Sequence, residues 1–322
     1  MNILFLGKGV NEASTRYRVR PIADHLQQSG HEVSFQSSEM NLLQKLRMVV
    51  QASQFDLVFI QRKLFPAWFV NRLAKRVSRL VFDFDDAIFV KSSGQASKVR
   101  DKKFAATCRV ADLVLAGNDY LAAEANQYSA RVVVAPTAVD VQRYESERVK
   151  DAATTLVWIG SSSTRRYLDM LTPVLDALGQ RLPNLRLKVI GDFEFQLDSL
   201  TVENIPWSGE AETAELGSSH IGIAPMVNNA WTRGKCALKV IQYMAAGLPV
   251  VSDRCGANQA VITEGKTGFL VDNETDWMEA IVELVENPER ARRMGHLGRL
   301  RAQEHFDLPQ VAESVAKQLI AL

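Results

Sequence analysis

Short apolar runs alternate with segments of helical periodicity along most of the chain. A short apolar run bounded by turn residues is typical of a buried strand, and apolar residues three and four positions apart are typical of a helix. In the first half, the pattern predicts strands near residues 2–6, 32–36, 56–60, 79–84, 112–116 and 131–134. It predicts helices near residues 16–29, 40–53, 66–78, 97–110 and 119–126.

A second series of the same kind follows the polar, aperiodic segment 144–154. Its predicted strands lie near residues 155–160, 186–190, 221–224, 249–252 and 268–271. Its predicted helices lie near residues 165–181, 235–246, 257–264, 275–286, 289–304 and 309–321. This alternation predicts an α/β protein with two Rossmann-like parallel-sheet domains that face each other across a cleft. We expect domains at 1–148 and 149–304, and a C-terminal helix at 305–322 that could pack back on the first domain.

Composition narrows the class of protein. The chain has 38 Lys and Arg against 37 Asp and Glu, so no bulk attraction to nucleic acid is expected. Cys108, Cys236 and Cys255 are odd in number and have no metal-ligand spacing, which fits a reducing cytoplasm. The five histidines are scattered, so no metal cluster is expected. No apolar run reaches membrane-spanning length, and we expect a cytoplasmic protein.

The segment from Gly234 to Gly247 predicts a helix with two distinct faces. The apolar face contains Ala237, Leu238, Val240, Ile241, Met244 and Ala245. Lys235, Lys239 and Gln242 fall within a narrow stripe on the other side. A helix N-terminus that carries two lysines favours a phosphate, and the Gln242 amide could bond a ribose hydroxyl. The alternative is an ordinary solvated lysine face.

A second candidate follows the first predicted strand of the second domain. Gly160 is followed by three serines, and Thr164 is a suitable N-cap for the next helix. Free backbone amides and hydroxyls at Ser161 and Ser162 could hold phosphate oxygens, while Arg165 or Arg166 adds charge. A capped helix with solvated arginines explains the same residues equally well.

Three carboxylates, Asp83, Asp85 and Asp86, stand at the end of a predicted strand. Buried carboxylates are costly unless they are paired, solvated or coordinating. Strand alternation places Asp83 and Asp85 on one face, where they could bind a divalent metal or accept bonds from sugar hydroxyls. The alternative is a strand-end cap paired with nearby arginines.

Two glycines, Gly7 and Gly9, follow the first strand, and Arg16 and Arg18 follow them. The dinucleotide-binding fingerprint requires a third glycine where this chain has Glu12, so that motif is incomplete. The arginines suggest a second anion, such as a phosphate on an acceptor. A solvated basic turn is the alternative reading.

The segment 61–79 holds six cations and no acid, with an apolar face near Phe69, Leu73 and Val77. Such a helix can lie on an anionic membrane surface. A domain helix with a basic outer face is the alternative that we favour.

These pieces together resemble a known family. The run from Gly234 through Gln242 to Val251, followed by Gly256 and the segment 265–271, is similar to the C-terminal half of the family-4 (group 1) glycosyltransferases. The similarity continues through Trp277, Met294 and Gly295, and the segment 134–140 resembles the family's Pro-Asn-Gly-Val-Asp segment. The resemblance implies a GT-B fold, a nucleotide-sugar donor and retention of anomeric configuration. The N-terminal half matches mostly in pattern, as acceptor domains do.

The resemblance also implies roles for residues of this chain, with several departures. Gly160 matches the family's glycine, Ser161 stands where an arginine is usual, and Arg166 stands at the position of a diphosphate-binding lysine. The family's two glutamates correspond to Gly234 and Gln242. The histidine that often ends the fourth strand corresponds to Asp85. These departures mark either a subgroup in which Lys235 and Lys239 bind the phosphates or a loss of activity.

The expected function is therefore a metal-independent, retaining glycosyltransferase of polysaccharide or lipopolysaccharide assembly. The expected catalytic residues are Asp85, Asp86, Arg166 and Lys239. The expected donor-binding residues are Gly160, Ser161, Ser162, Arg166, Gly234, Lys235, Lys239 and Gln242. The expected acceptor-side residues are Gly7, Gly9, Arg16 and Arg18.

We expect no cofactor beyond the nucleoside-diphosphate sugar, which is a co-substrate. The acceptor is expected to be a glycan or a lipid-linked glycan, and the protein could associate peripherally with the inner membrane surface. Three alternatives stay open. Asp83-Phe84-Asp85 matches the Asp-x-Asp metal motif of GT-A enzymes. A GT-B epimerase and a non-catalytic nucleotide-sugar-binding protein are the other two.

Overall fold

The structure is a computed structural model that describes residues 1–9, 15–145 and 152–322. The chain divides into two compact units. Unit 1 comprises Met1–Ala138, Asn229–Cys236 and Leu308–Leu322, and unit 2 comprises Val139–Asn228 and Ala237–Asp307. The predicted domain boundary between residues 148 and 149 lies outside the described residues.

Each unit is built on one parallel sheet of six strands. The strands of unit 1 are β1 (Asn2–Gly7), β2 (Glu32–Ser37), β3 (Leu57–Gln61), β4 (Arg79–Phe84), β5 (Leu113–Ala116) and β6 (Val132–Val134). The strands of unit 2 are β7 (Thr155–Ile159), β8 (Arg186–Gly191), β9 (Thr201–Pro206), β10 (Ile221–Ala224), β11 (Val250–Asp253) and β12 (Gly268–Val271). The predicted α/β class with two parallel sheets is confirmed.

Helices connect the strands throughout the described residues. Those that precede β9 are α1 (Arg20–Gln28), α2 (Leu42–Gln51), α3 (Ala67–Ala74), α4 (Lys98–Val110), α5 (Asp119–Asn126), α6 (Arg165–Asp169) and α7 (Thr172–Arg181). Those that follow β9 are α8 (Gly209–Ser218), α9 (Ala230–Arg233), α10 (Leu238–Ala245), α11 (Asn258–Val261), α12 (Glu274–Glu286), α13 (Pro288–His305) and α14 (Leu308–Ile320). A π-helical turn, Thr15–Val19, leads into α1.

Strand order locates the crevices where ligands bind in such sheets. The order is β2-β1-β3-β4-β5-β6 in unit 1 and β12-β11-β10-β7-β8-β9 in unit 2. The chain reverses its direction of travel between β1 and β3, and again between β7 and β10. Connections at such a point leave in opposite directions and open a crevice beyond the carboxyl ends of the strands. The loops after β1, β3, β7 and β10 therefore lie at these crevices.

Both faces of the unit 1 sheet are covered by helices. Helices α2 to α5 pack on one face, and α1 and α14 pack on the other. The predicted apolar face of α3 belongs to this core, because Phe69 and Leu73 are fully buried and Val77 is nearly so. The basic side of α3 therefore faces outward, as the favoured alternative expected. None of the helices in the described part of the chain combines the length and apolarity that a membrane crossing requires.

Candidate functional site

The loop after β7 is shaped by a tight turn at Gly160. A Cβ at this position would lie 2.3 Å from Cη2 of Trp158 and 2.7 Å from Oγ1 of Thr164, so only glycine fits without displacing its neighbours. The Gly160 amide donates to the Ile190 carbonyl at 3.0 Å. The loop is thus held against both its own strand and β8.

The expectation of free amides in this loop is wrong for the two serines. The Ser161 amide donates to Oγ1 of Thr164 at 3.2 Å, and the Ser162 amide donates to Oδ1 of Asp192 at 2.6 Å. Thr164 precedes α6 as predicted, but its side chain bonds to Ser161 and does not cap the helix. A phosphate that bound these two amides would have to replace those partners.

Lys239 lies in the first turn of α10 and is half-buried. Its Nζ is 4.4 Å from the centroid of the Trp158 ring, a favourable cation–π distance. Trp158 is fully buried, and no described residue forms a hydrogen bond with its Nε1. The same indole therefore contacts both Gly160 and Lys239, which joins the two predicted parts of the donor site at the carboxyl end of β7.

Arg166 is exposed on α6 and turns toward the next residue. Its Nη2 donates to the Tyr167 hydroxyl at 2.8 Å, and its guanidinium lies 4.8 Å from the centroid of that ring. An aromatic neighbour holds this cation, as Trp158 holds Lys239. The donor role of Arg166 stays a prediction.

The predicted helix from residue 235 begins three residues later than expected. Ala237 has φ of 55°, a left-handed conformation that alanine adopts rarely, and α10 starts at Leu238. Lys235 is therefore not on the helix that carries Lys239, and the predicted stripe of lysines does not form. Gly234 and Lys235 belong to the segment that is part of unit 1.

Gln242 also departs from its predicted place on a solvent-facing stripe. It is buried, and its Nε2 donates to the Tyr144 hydroxyl at 3.2 Å. Tyr144 donates in turn to the buried carboxylate of Glu212, which also accepts from Nε1 of Trp207 at 2.9 Å. Gln242 is thus part of a buried polar network, which the sequence pattern did not indicate.

In unit 1, the carboxyl end of β4 carries a buried ion pair. Arg18 donates through Nε to both Asp83 oxygens, at 2.7 and 2.9 Å, and through Nη1 to the Ala135 carbonyl at 2.6 Å. Burial lowers the pKa of Arg18, but the charge and hydrogen bonds of Asp83 outweigh it and hold the pKa above its usual value. The Arg18 guanidinium is therefore bonded inside the unit, and its acceptor-side role stays a prediction.

The other two carboxylates are paired as well. Nε of Arg62 lies 3.1 Å from Oδ1 of Asp85, and the same guanidinium pairs with Asp86. Nζ of Lys235 lies 2.7 Å from the other oxygen of Asp86. Burial raises the pKa of Asp86, and Lys235 and Arg62 oppose this shift. The three carboxylates thus form a strand-end cluster paired with cations, which the sequence analysis gave as the alternative to a metal or sugar site.

Arg62 is the residue of this cluster that the sequence reading missed. It directly follows β3 with φ of 52°, so its backbone is in the left-handed region that non-glycine residues rarely adopt. The sequence did contain a signal for this role of Arg62. The residue directly follows β3, which pairs with β4, and the carboxyl ends of parallel strands lie at the same edge of a sheet. Within the described residues, no group of three or more His, Cys, Asp or Glu side chains could hold a metal ion.

Gly234 and its neighbours are fixed against this strand-end cluster. A Cβ at position 234 would lie 2.5 Å from the backbone nitrogen of Ala87, so the close approach requires glycine. Nδ2 of Asn118 donates to the carbonyls of Arg233 and Lys235 at 3.1 and 3.0 Å. Packing in unit 1 therefore explains a glycine at the position where the resemblance expects a glutamate.

A cavity of about 120 Å³ opens at the carboxyl ends of β1, β2 and β3. Its lining includes Gly7, Gly9, Thr15, Phe35 and Gln61, and no charged side chain lines it among the residues that the structure describes. Oε1 of Gln61 accepts from Thr15 at 3.1 Å, whereas its buried Nε2 has no hydrogen-bond partner within the described residues.

Arg16 is exposed, and its guanidinium lies 5.0 Å from the centroid of the Tyr17 ring. It is not among the residues that line this cavity. The structure therefore brings Gly7 and Gly9 together there, without Arg16. Residues 10–14, between Gly9 and the π-helical turn, lie outside the described residues.

The sequence of this chain is similar to sequences of known glycosyltransferases. Residues 153–287 match the family model described as "Glycosyl transferases group 1". Over 166 residues the chain is 27% identical to D-inositol 3-phosphate glycosyltransferase of Pseudarthrobacter chlorophenolicus, covering 51% of this chain and 37% of that protein. Over 151 residues it is 28% identical to a GDP-mannose-dependent alpha-(1-6)-phosphatidylinositol monomannoside mannosyltransferase of Mycolicibacterium smegmatis, covering 42% and 39%. The chain thus matches well under half the length of these curated relatives.

Solved structures extend the likeness to the whole chain. Anabaena HepE in complex with UDP and glucose superposes with a TM-score of 0.74 at 15% identity, covering 100% of both chains. Sucrose-phosphate synthase from Thermosynechococcus elongatus gives a TM-score of 0.75 at 14% identity, again covering 100% of both chains. At this level of identity the likeness concerns the fold. The GT-B fold and the resemblance to group 1 glycosyltransferases are confirmed.

Proposed function

We propose that this protein is a glycosyltransferase that moves a hexose from a nucleoside-diphosphate sugar to a hydroxyl of an acceptor. The observation that carries the proposal is the meeting of Gly160 and Lys239 on the indole of Trp158. This point lies at the carboxyl end of β7, where the strand order of unit 2 reverses. The match to group 1 glycosyltransferases spans these residues, and HepE was solved with UDP and glucose.

The chemistry needed here is stabilisation of a departing nucleoside diphosphate. The Lys239 ammonium, held beside the Gly160 turn, neutralises charge as the sugar–phosphate bond breaks. The Trp158 ring stabilises the ammonium and itself carries no net charge. Arg166 supplies a second cation on α6 in this proposal.

We infer that the transfer retains configuration, with the acceptor hydroxyl attacking from the face that the diphosphate leaves. Asp85 and Asp86 orient the sugar or the acceptor in this scheme. We also propose that no metal takes part at the end of β4. The support is that Asp83, Asp85 and Asp86 already pair with cations, which removes the advantage of binding another.

The acceptor is proposed to be a glycan or a lipid-linked glycan of the cell envelope. The mannosyltransferase relative carries the name of a phosphatidylinositol monomannoside acceptor. By analogy, we place this chain on the cytoplasmic side of a membrane, bound peripherally at its surface.

Two other functions have a specific observation in their favour. Gly234 stands where the resemblance expects a glutamate, and Gln242, at the position of the second glutamate, is buried and bonded to Tyr144. A protein that binds a nucleotide sugar without transferring it would not need those carboxylates. A nucleotide-sugar epimerase of the same fold is the second alternative, and it would act on the donor alone.

The test begins with thermal unfolding in EDTA against UDP, GDP and dTDP and their sugars. We expect one nucleoside diphosphate to stabilise the protein, by about 2.7 kcal/mol at one hundred times its Kd. Lys239→Ala should abolish the shift, whereas Lys266→Ala, which removes an exposed lysine elsewhere in unit 2, should preserve it.

Turnover then separates the candidate functions. Transfer of labelled sugar to a glycan acceptor, with the anomeric configuration read by NMR, supports the glycosyltransferase. Donor isomerisation without acceptor indicates an epimerase, and binding without turnover indicates a binding protein. A thermal shift that requires added metal would contradict the metal-free scheme.

A further inference from the structure

Helix α2 exposes an unusual number of large apolar side chains. Leu42, Leu43, Leu46 and Val50 retain 61%, 67%, 40% and 72% of their accessible surface. At helical spacing they form one stripe along the outer side of α2, while Met48 anchors the helix in the core. We call these four residues the α2 stripe.

This exposure is not needed to hold α2 in place. The neighbouring helix α3 buries its apolar residues Phe69, Val70 and Leu73 completely, and Met48 of α2 packs into the same cluster. Single exposed apolar residues are common on protein surfaces, but a contiguous group typically marks an interaction site. The α2 stripe therefore points to a partner that takes up aliphatic side chains.

The helices on this face of the sheet also carry a strong excess of positive charge. Asp101 is the only acidic residue within α2, α3 and α4, all of which lie in the described part of the chain. The exposed cations on these helices, or immediately after α3, are Arg47, Arg72, Lys75, Arg76, Lys98, Arg100, Lys102 and Arg109. We call this set the basic layer.

We propose that the α2 stripe and the basic layer form a docking surface for an anionic lipid bilayer. Leucine and valine can enter the boundary between headgroups and acyl chains, while arginine and lysine pair with anionic headgroups. Long basic side chains also reach the headgroups from beside an inserted helix. This inference deepens the proposed function, because it names the surface that would bring the enzyme to a lipid-linked acceptor.

The combination distinguishes a bilayer from other anionic partners. A nucleic acid would pair with the basic layer but would leave the aliphatic α2 stripe exposed to water. A second copy of the chain could cover the stripe but would bring a second basic layer with it. Only a surface that is both apolar and anionic satisfies both features.

Vesicle sedimentation provides the direct test. The full chain is mixed with vesicles of 70% phosphatidylcholine and 30% phosphatidylglycerol, or of phosphatidylcholine alone, in low salt. We expect sedimentation with the anionic vesicles, weakened by added salt, and at least tenfold weaker partitioning to the neutral ones.

Matched variants separate the two features of the surface. The triple change Leu42→Gln, Leu43→Gln and Val50→Gln should reduce partitioning at least tenfold. The control Met170→Gln, Leu300→Gln and Ile320→Gln removes three similarly exposed apolar side chains elsewhere and should bind as the parent does.

Neutralising the basic layer by Arg72→Gln, Lys75→Gln and Arg76→Gln should weaken binding about a hundredfold, since each cation contributes about fivefold near such a surface. The control is Lys266→Gln, Arg292→Gln and Arg293→Gln, at exposed positions of unit 2. Circular dichroism and thermal unfolding verify that each variant is folded.

Several outcomes would overturn the proposal. Equal binding to neutral and anionic vesicles would remove the role of charge, and unchanged binding of the α2 variant would remove the role of the stripe. A concentration-dependent dimer that the α2 variant abolishes, without vesicle binding, would assign the surface to a second copy. Nucleotide stabilisation is measured without vesicles, so failure of the docking surface and failure of the proposed function give separate results.

Discussion

The cationic side chains at the carboxyl ends of the two sheets have different kinds of partner. In unit 1, Arg18 and Lys235 are bonded to the carboxylates of Asp83 and Asp86. In unit 2, Lys239 lies over the ring of Trp158 and Arg166 over that of Tyr167. The parallel topology is shared, so the difference comes from the side chains that the strands and loops present.

We interpret the ion pairs of unit 1 as structural and the cation–π contacts of unit 2 as part of the proposed ligand site. A buried ion pair is locally neutral, and the removal of one partner leaves an uncompensated charge. An aromatic ring stabilises a cation through its quadrupole and adds no opposing charge. Unit 1 thus uses its cations to hold its own strand end, whereas in unit 2 Lys239 and Arg166 lie on aromatic rings at the proposed donor site.

The largest effect should follow from breaking the buried pair of unit 1. Arg18→Met leaves Asp83 buried without its partner, and we expect a loss of about 3–5 kcal/mol in the free energy of unfolding. Chemical denaturation measures the loss. Arg20→Met, which breaks only an exposed pair with Asp24, should cost no more than about 1 kcal/mol.

The double variant Arg18→Met with Asp83→Leu sharpens this prediction. Replacing both charges by apolar groups should recover much of the lost stability, because no buried charge remains unpaired. Equal losses in the single and double variants would mean that the pair itself is not the cause.

The next effect distinguishes the two lysines that the sequence grouped together. Lys239→Ala should lower kcat/KM for the donor about a hundredfold, because a cation at the departing diphosphate is lost. Lys235→Ala should lower thermal stability, since Asp86 loses a partner, and should leave donor affinity close to the parent value. Calorimetric titration with the nucleoside diphosphate measures both affinities. If Lys235→Ala lowered donor affinity and Lys239→Ala did not, the donor site would lie in unit 1.

A smaller effect should follow from crowding the Gly160 turn. In Gly160→Ala the new methyl group would displace the Trp158 ring or the Thr164 hydroxyl, at a cost of about 1–3 kcal/mol. Nucleotide binding should weaken as well, since the ring also positions Lys239. Gly9→Ala is the control, because a Cβ there would have no neighbour within 4 Å in the described part of the chain. Unchanged binding in Gly160→Ala would separate the turn from the donor site.

The smallest effect concerns a carboxylate of unit 2 that is held by N–H groups. Asp253 ends β11 and accepts from the Met226 amide at 2.7 Å and from Nε1 of Trp277 at 3.3 Å. Burial raises its pKa, while the Met226 and Trp277 bonds oppose the shift.

The sign of the pH dependence follows from this raised pKa. The folded state binds the proton more tightly, so the stability contributed by Asp253 is fully present below the unfolded pKa of about 3.9 and is lost as pH rises through the folded value. Relative to Asp253→Asn, the parent should therefore be more stable at pH 4 than at pH 7. Denaturation curves at both values test this, and a difference of the opposite sign would contradict it.

Much of the fold could be predicted because apolar runs mark buried strands. Strands such as β1, β3 and β4 are almost wholly buried, and their sequences show it. Strand β9 was missed because it lies at the sheet edge, where polar Glu203 and Asn204 are tolerated and Pro206 ends the pairing. Its place depends on backbone bonds to β8, which leave no apolar pattern in the sequence. Helix α8 was missed because its apolar residues show little helical periodicity.

Some local features of the candidate site could be predicted for similar reasons. Gly160 was found because a glycine after a strand predicts a tight turn, and Lys239 because it recurs at helical spacing. The role of Trp158 was not visible, because an aromatic residue in a strand reads as core. The left-handed Ala237 was equally hidden, since local sequence favours glycine or asparagine there and only tertiary packing holds alanine.

Unit 1 is assembled from both extremes of the chain, and this sets an order of events during synthesis. Helices α1 and α14 together cover one face of its sheet. Val315 and Leu319 of α14 pack there with Ile22 and Leu26 of α1. On the ribosome, this face stays uncovered after residue 138 has emerged, for on the order of 10 s at ordinary elongation rates. The unit that is made first therefore completes its folding last, and a stalled or clipped chain would present that uncovered face to chaperones and proteases.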